Sequence, residues 1–204
     1  GYHNVTLYDV NQTIESMPAT FEVTTSCYVL AEPARTLEGL QSTITVGVRE
    51  AEANVTYAFT INVTDPLNRN WTANSLVMTN EDGSGENSTE YPGDFVNNTA
   101  VADTRYLGNY SIAVNATLAT GSFTVGLTDA AEYRRTNRVI IQGSGYGKEE
   151  IVTVNITFAE TGVSYFSENR SAIDGIVAYL WTIPDNAPLG IYTVTLFGAT
   201  TPVK

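Results

Sequence analysis

The chain alternates. Single apolar residues, many of them β-branched or aromatic, are separated by single polar ones, and Gly, Pro, Asn and Asp interrupt the pattern at short intervals. Successive side chains of a strand point to opposite faces, so a period of two marks a strand with one buried and one wet face. No stretch shows the 3.6-residue spacing of an amphipathic helix. Segments 3–10, 20–30, 42–49, 55–64, 109–119, 122–129, 138–146, 150–158, 162–167, 175–183 and 190–198 are the predicted strands. Many short strands separated by turn residues predict an all-β fold built of sandwiches.

The pattern also repeats. LGNYSIAV at 107–114 matches LGIYTVTL at 189–196, and the similar strands VTYAFTINVTDP (55–66) and IVTVNITFAETG (151–162) lie upstream of each. Such self-similarity predicts two modules of one architecture, joined near Leu127–Tyr133. The expected division is an N-terminal extended strand and connector over 1–19, a sandwich over 20–128 with an insertion at roughly 72–105, and a second sandwich over 129–204. At 204 residues ordinary cores can form without staples. Cys27 is the only cysteine, so no internal disulfide is possible; in the run FEVTTSCYVL it reads as a small buried hydrophobe.

Asn-x-Ser/Thr sequons are the strongest chemical signal. Eleven occur, at Asn4, Asn11, Asn54, Asn62, Asn70, Asn87, Asn97, Asn109, Asn115, Asn155 and Asn169, none with Pro in the middle. Random placement of the same residues predicts roughly three. The excess points to N-linked glycans, and so to an extracellular address at the cell surface. Several sequons fall inside strands. In TVNITF, Val154, Ile156 and Phe158 can point inward while Asn155 and Thr157 face water.

Charge and composition narrow the function further. The net charge of −12 disfavours nucleic acid, whose phosphates need a cationic face. No apolar run reaches the length of a membrane-spanning helix. The first residue is Gly1, which suggests a secreted chain whose signal peptide has been removed, or a fragment. His3 is the only histidine, which argues against a His-rich zinc site or a triad built on an interior histidine. Asp82 and Glu86, in the Gly-rich run NEDGSGE, are the candidate calcium ligands, although their spacing does not follow the EF-hand loop. Nothing singles out a catalytic pair among the acids, so no enzyme activity and no cofactor are expected.

The run RVIIQGSGYGKEEIVTVNITF with LWTIPDNAPLGIYTVTLFG resembles the Ig-like repeats of archaeal surface and secreted proteins. The pieces that carry the likeness are the Gly143–Gly147 turn, the Trp181–Pro184 strand end and the Pro188-Leu189-Gly190-x-Tyr192 corner. The resemblance implies two Ig-like β-sandwich domains and extracellular service, and no particular activity.

An extended N-terminal strand precedes the first module. Two fates are open to it: folding back on its own sheet, or insertion into a groove of a neighbouring copy. In outline the chain is similar to the subunits of archaeal thread-like pili, which are small, glycan-coated β proteins with an extended terminal strand. That likeness implies a homopolymer assembled head to tail, with Val5, Leu7, Tyr8 and Val10 as donor residues. The alternative expectation is an Ig-like module of a surface-layer or adhesin glycoprotein, touching other surface glycoproteins.

Overall fold

The structure is a computed structural model and describes residues 2–5, 19–22, 25–98, 100–115, 118–200 and 203–204. Its regular elements are all strands. No helix occurs among the described residues, and hence none long and apolar enough to cross a membrane.

In chain order the first twelve strands are β1 Tyr2–Val5, β2 Ala19–Glu22, β3 Ser26–Glu32, β4 Arg35–Leu37, β5 Ser42–Arg49, β6 Thr56–Thr64, β7 Asn70–Met78, β8 Gly85–Tyr91, β9 Val96–Asn97, β10 Ala100–Val101, β11 Gly108–Val114 and β12 Ala119–Gly126. They are followed by β13 Arg138–Ser144, β14 Ile151–Phe158, β15 Val163–Ser171, β16 Ile176–Thr182 and β17 Tyr192–Phe197.

The first sandwich packs a three-stranded sheet, ordered β3-β5-β8, on a seven-stranded sheet ordered β10-β9-β7-β6-β11-β12-β4. Alternation decides which residues enter the core. On β6, Phe59, Ile61 and Val63 are buried, while Thr60, Asn62 and Thr64 lie on the other face. Each such apolar side chain contributes about 1.5–3 kcal/mol on burial. The chain changes sheets after β3: past the cis Glu32–Pro33 peptide, β4 runs parallel to β12 and closes that edge of the larger sheet. β12 is thereby held between β11 and β4.

Residues 72–105, read from sequence as an insertion, supply most of β7 and all of β8, β9 and β10. Val77, Tyr91 and Phe95 from this region are buried in the first core. Its polar look has a physical cause: several inward positions are Ala73, Ser75 and Thr89, small or hydroxyl-bearing residues rather than large hydrophobes.

In the second sandwich β13 pairs with β16, and β14 lies between β15 and β17. Val139, Ile141, Val152, Val154, Ile156 and Trp181 are among the residues of its core. Leu127 belongs to this second core and Val125 to the first, while Leu107 packs against both.

At the N-terminus β1 pairs antiparallel with β2, Tyr2 opposite Glu22 and Val5 opposite Ala19, in a two-stranded sheet that no other described strand joins. Of the strand expected over 3–10, Leu7, Tyr8 and Val10 lie outside the described residues, as does the sequon at Asn11. The strand expected over 20–30 is observed as β2 and β3.

Candidate strand-accepting edge and sugar-bearing faces

The repeated Leu-Gly-x-Tyr motif forms the same corner twice. The Tyr110 hydroxyl donates to the Tyr106 carbonyl at 2.9 Å, and the Tyr192 hydroxyl donates to the Pro188 carbonyl, also at 2.9 Å. Each tyrosine follows a glycine in a backbone conformation that side chains disfavour, Gly108 at φ 136° and Gly190 at φ 149°. A Cβ on Gly190 would also lie 2.7 Å from the Phe158 ring. The motif is therefore a backbone device that places a tyrosine at the start of a core strand.

Past that corner the two modules differ. In the first, β12 lies beside β11, with Phe123 opposite Tyr110, Gly121 opposite Ile112 and Ala119 opposite Val114. Phe123 stacks on Tyr110 with ring centroids 4.9 Å apart, and Tyr91 meets both rings edge-on or tilted. Tyr110 is 0% exposed and Ile112 2%. Tyr192, Val194 and Leu196 are the matching residues of β17. Leu196 is buried, yet Tyr192 and Val194 remain half-buried. Beside them runs a groove of about 550 Å³, lined by Val139, Ile156, Trp181 and Ile183 as well as the two half-buried residues. Ile191 and Leu189 at its rim are exposed. No described strand pairs with this edge of β17, where the first module has β12.

One rung of the edge is occupied. Leu196 and Lys204 exchange both backbone hydrogen bonds, at 3.1 and 3.2 Å, the pattern of directly opposed antiparallel residues. N–H and C=O groups of alternate residues point to the same side of a strand, so those of Val194 and Tyr192 are directed at the same open edge. Lys204 also ties the modules together. Its Nζ donates to the fully buried Glu38 carboxylate and to the Ser144 carbonyl, and the Ser144 hydroxyl donates to Glu38 as well. Burial pushes the Glu38 carboxyl above its ordinary range, with the Lys204 cation pulling the other way. On the neighbouring loop Glu150 accepts from the Gly147 and Thr200 amides and the Thr200 hydroxyl, which hold its carboxyl down at about 2.

The side chains of nine sequon asparagines are described. Asn54, Asn70, Asn87, Asn97, Asn109, Asn115 and Asn169 are exposed, and Asn62 and Asn155 are half-buried in the middle strands β6 and β14. Asn4 lies on β1. On the outer sheet faces hydroxyls hold the amide oxygens: Thr72 donates to Asn62 at 3.0 Å, Thr64 to Asn70 at 2.7 Å and Thr153 to Asn169 at 2.7 Å. In each case the bond engages the oxygen and not the nitrogen, the atom that carries an N-linked sugar. Asn87, Asn97 and Asn155 differ, because their Nδ2 atoms donate to the buried Ser75 hydroxyl at 3.2 Å, the Asn70 carbonyl at 3.0 Å and the Thr157 hydroxyl at 3.0 Å.

Away from Arg35 on the edge strand β4, the strand rows of these outer faces carry no charge. The outward positions of β6, β7, β11 and β12 are Thr, Ser, Asn, Ala, Leu and Met, although the chain has a net charge of −12. The outer row of β14 and its partners on β15 is likewise Ile, Thr, Asn and Ser. The opposite, three-stranded sheet turns Glu32, Arg49, Glu86 and Glu90 outward and carries no sequon asparagine in that row.

The remaining candidates are placed as follows. Glu86 accepts from the Tyr28 hydroxyl at 3.0 Å, and Asp82 sits in the β7–β8 turn with its amide bonded to Asn80. Among the described residues no group of three or more His, Cys, Asp and Glu is arranged to hold a metal ion. Cys27, on β3, is partly buried against the first core, and that burial raises its thiol pKa. His3 lies on β1 opposite Phe21. Sequence reading alone missed the half-exposed edge of β17, because burial at Tyr192 and Val194 depends on which strand lies alongside.

No family model and no curated protein match the chain. Among solved structures it is similar to a tetra-tandem repeat from the extending region of a large adhesion protein, at 11% identity and a TM-score of 0.30. That match covers 97% of this chain and 52% of the other, so the chain spans about half the length of that structure. It is also similar to an adhesin from Mobiluncus mulieris that contains intramolecular disulfide, isopeptide and ester cross-links. There the identity is 11%, the TM-score 0.30, and the coverage 86% of this chain and 80% of the other.

Proposed function

We propose that the chain is a structural, non-catalytic subunit of an extracellular filament, sheathed in N-linked sugars, in which each copy lends its N-terminal strand to the open edge of β17 in the next. The observation that carries this reading is the contrast between buried Tyr110 and half-buried Tyr192 at equivalent places in two copies of one motif. A sandwich short of one strand keeps an apolar groove and unpaired backbone groups, and a strand from elsewhere satisfies both. Supplied head to tail, such a strand builds an open fibre rather than a closed ring. The sequons support the address. Outer faces without charge gain from sugars the hydration that ionised side chains provide elsewhere.

Deleting residues 1–12 tests the reading. The expected result is soluble, folded protein that forms no fibres by negative-stain microscopy; fibres from the deleted chain reject it. Intact mass of the native material should exceed the 22.1 kDa polypeptide by the weight of several glycans.

A second reading has its own support in the Leu196–Lys204 rung. Lys204 already sits at the first position of a strand beside β17, so a chain continuing past it would run along the same edge. That arrangement suits an Ig-like module of a surface-layer or adhesin glycoprotein, which would form lattices or tethers and no threads.

A further inference from the structure

We infer that the outer edge of β15 pairs with β15 of a second copy about a two-fold axis at Asn169, and that a sugar on Asn169 closes this edge. The pairing is independent of the filament reading; the closure rests on the sugars of that reading.

The edge is internal to the second module. β15 ends its three-stranded sheet, and its neighbours in the chain, β14 and β16, are both placed, yet neither lies along its outer side. A bulge opposite Ile156–Thr157 leaves Phe166–Ser171 as the regular part of the strand. Just past it the Ala172 amide donates to the Glu150 carbonyl at 2.8 Å, on the β14 side. Backbone groups of alternate residues point the same way, so those of Glu168 and Arg170 turn to β14. Those of Ser167, Asn169 and Ser171 turn outward, three rungs offered to a partner strand.

Charge lies on the other row. Glu168 is opposite buried Val154 and Arg170 opposite buried Val152, so both project toward the core side of the sheet, at its rim. Their side chains are 42% and 40% exposed. The facing sheet stops at β16, whose Tyr179 stacks on Phe166 and lies under the Arg170 guanidinium. Arg170 holds Glu168 through Nη2 at 2.8 Å, while its buried Nε has no hydrogen-bond partner among the described residues.

This charge row selects a second copy as the occupant, in one register. A centre at Glu168 or at Arg170 would set like charges directly opposite each other, and a centre at Ser167 would run the ladder through the bulge. A centre at Asn169 sets Glu168 opposite the partner's Arg170, and Arg170 opposite the partner's Glu168. These are the closer, non-hydrogen-bonded rungs, and they bring a carboxylate to the unpartnered Nε. The same axis places the two Asn169 residues face to face on the outer side, with Cα atoms about 5.5 Å apart. Thr153 holds the Asn169 oxygen and leaves the nitrogen for a sugar. A sugar on even one copy lies across the axis, where the other strand must sit.

Cysteine trapping in the full chain tests this, with Cys27→Ala in every variant and gentle oxidation before a non-reducing denaturing gel. Opposed rungs lie within disulfide range. In chain made without sugars, Asn169→Cys should trap itself. Adding Glu168→Arg or Arg170→Glu should abolish that trap, and mixing those two chains should restore it, since each then meets the opposite charge. For the sugar, Glu168→Cys and Arg170→Cys chains are mixed; both keep the sequon and one ion pair. They should cross-link when bare, and not when peptide mass shows Asn169 modified. Equal cross-linking of bare and modified chains, or native peptides bare at Asn169, overturns the closure and leaves the pairing. Absence of any trap in bare chain overturns the pairing, and so does a trap indifferent to the charge changes. The filament reading is judged separately, by fibres under the microscope.

Discussion

Replacing the two equivalent tyrosines, Tyr110→Ala and Tyr192→Ala, measures directly whether the second sandwich lacks a covering strand. Tyr110 is 0% exposed, with Phe123 stacked at 4.9 Å and Tyr91 at 5.6 Å. Truncating a fully buried ring costs about 3–5 kcal/mol, and these ring contacts place Tyr110 at the upper end of that range. Tyr192 keeps contacts with Phe158 at 5.1 Å and Trp181 at 6.0 Å, yet much of its ring faces the groove. Its loss in the soluble chain should cost roughly half as much, on the order of 2 kcal/mol. The hydroxyl bonds of the two corners are the same length, so they cancel in the comparison. Urea denaturation followed by tryptophan fluorescence, with the other tryptophan replaced by Phe, reads each core separately, because Trp71 lies in the first and Trp181 in the second. With a urea slope of about 1–3 kcal/mol per molar, the two variants should separate by a molar or so in midpoint. Equal losses in the unassembled chain would mean that the β17 edge is already covered, and the reasoning from a missing strand would fail.

Three further outcomes follow from the same geometry. Glu150 titrates at about 2 when folded against an ordinary 4.5, so the stability it contributes is present above about 4.5 and is lost as pH falls toward 2. Glu150→Gln should flatten the acid limb of the second core's melting profile across that window. Lys204→Met leaves the Glu38 carboxylate buried without its cation and should cost about 3–5 kcal/mol at neutral pH. The Glu38 carboxyl is raised in the folded state, so that deficit should shrink as pH falls and Glu38 takes up a proton; a pH-independent deficit measured by urea titration contradicts this. Gly190→Ala forces a Cβ to 2.7 Å from Phe158 and should destabilise the second core well beyond Gly162→Ala, where φ is 67° and no atom lies within 4 Å.

Most strands were legible because their inward residues are large. In β6, β14 and β17 the alternation of Val, Ile, Leu and Phe with Thr and Asn shows the buried face without help. β7 and β8 were hidden because Ala73, Ser75 and Thr89 occupy core positions, so their polarity mimics a surface loop. The three-residue β4 has too few positions to show a period, and its partner β12 is distant in sequence. The tyrosine corners were visible as a motif, but their unequal burial was not, since that depends on which strand lies alongside. Sequons show only their spacing; that Asn62 and Asn155 stand in mid-sheet on uncharged faces required the register. Contacts such as Glu38 with Lys204 join residues 166 positions apart and leave no local trace.

Asn62 stands on β6, flanked in register by Thr72 of β7 and Ala113 of β11. Neighbouring strands lie about 4.8 Å apart and sheets laminate at about 10 Å, so a branched sugar rooted there is thicker than the gap lamination allows. With that residue glycosylated, nothing flat can settle on the broad side of the larger sheet. On the proposed filament reading, copies would then meet end to end, and growth would extend in length without thickening into plates.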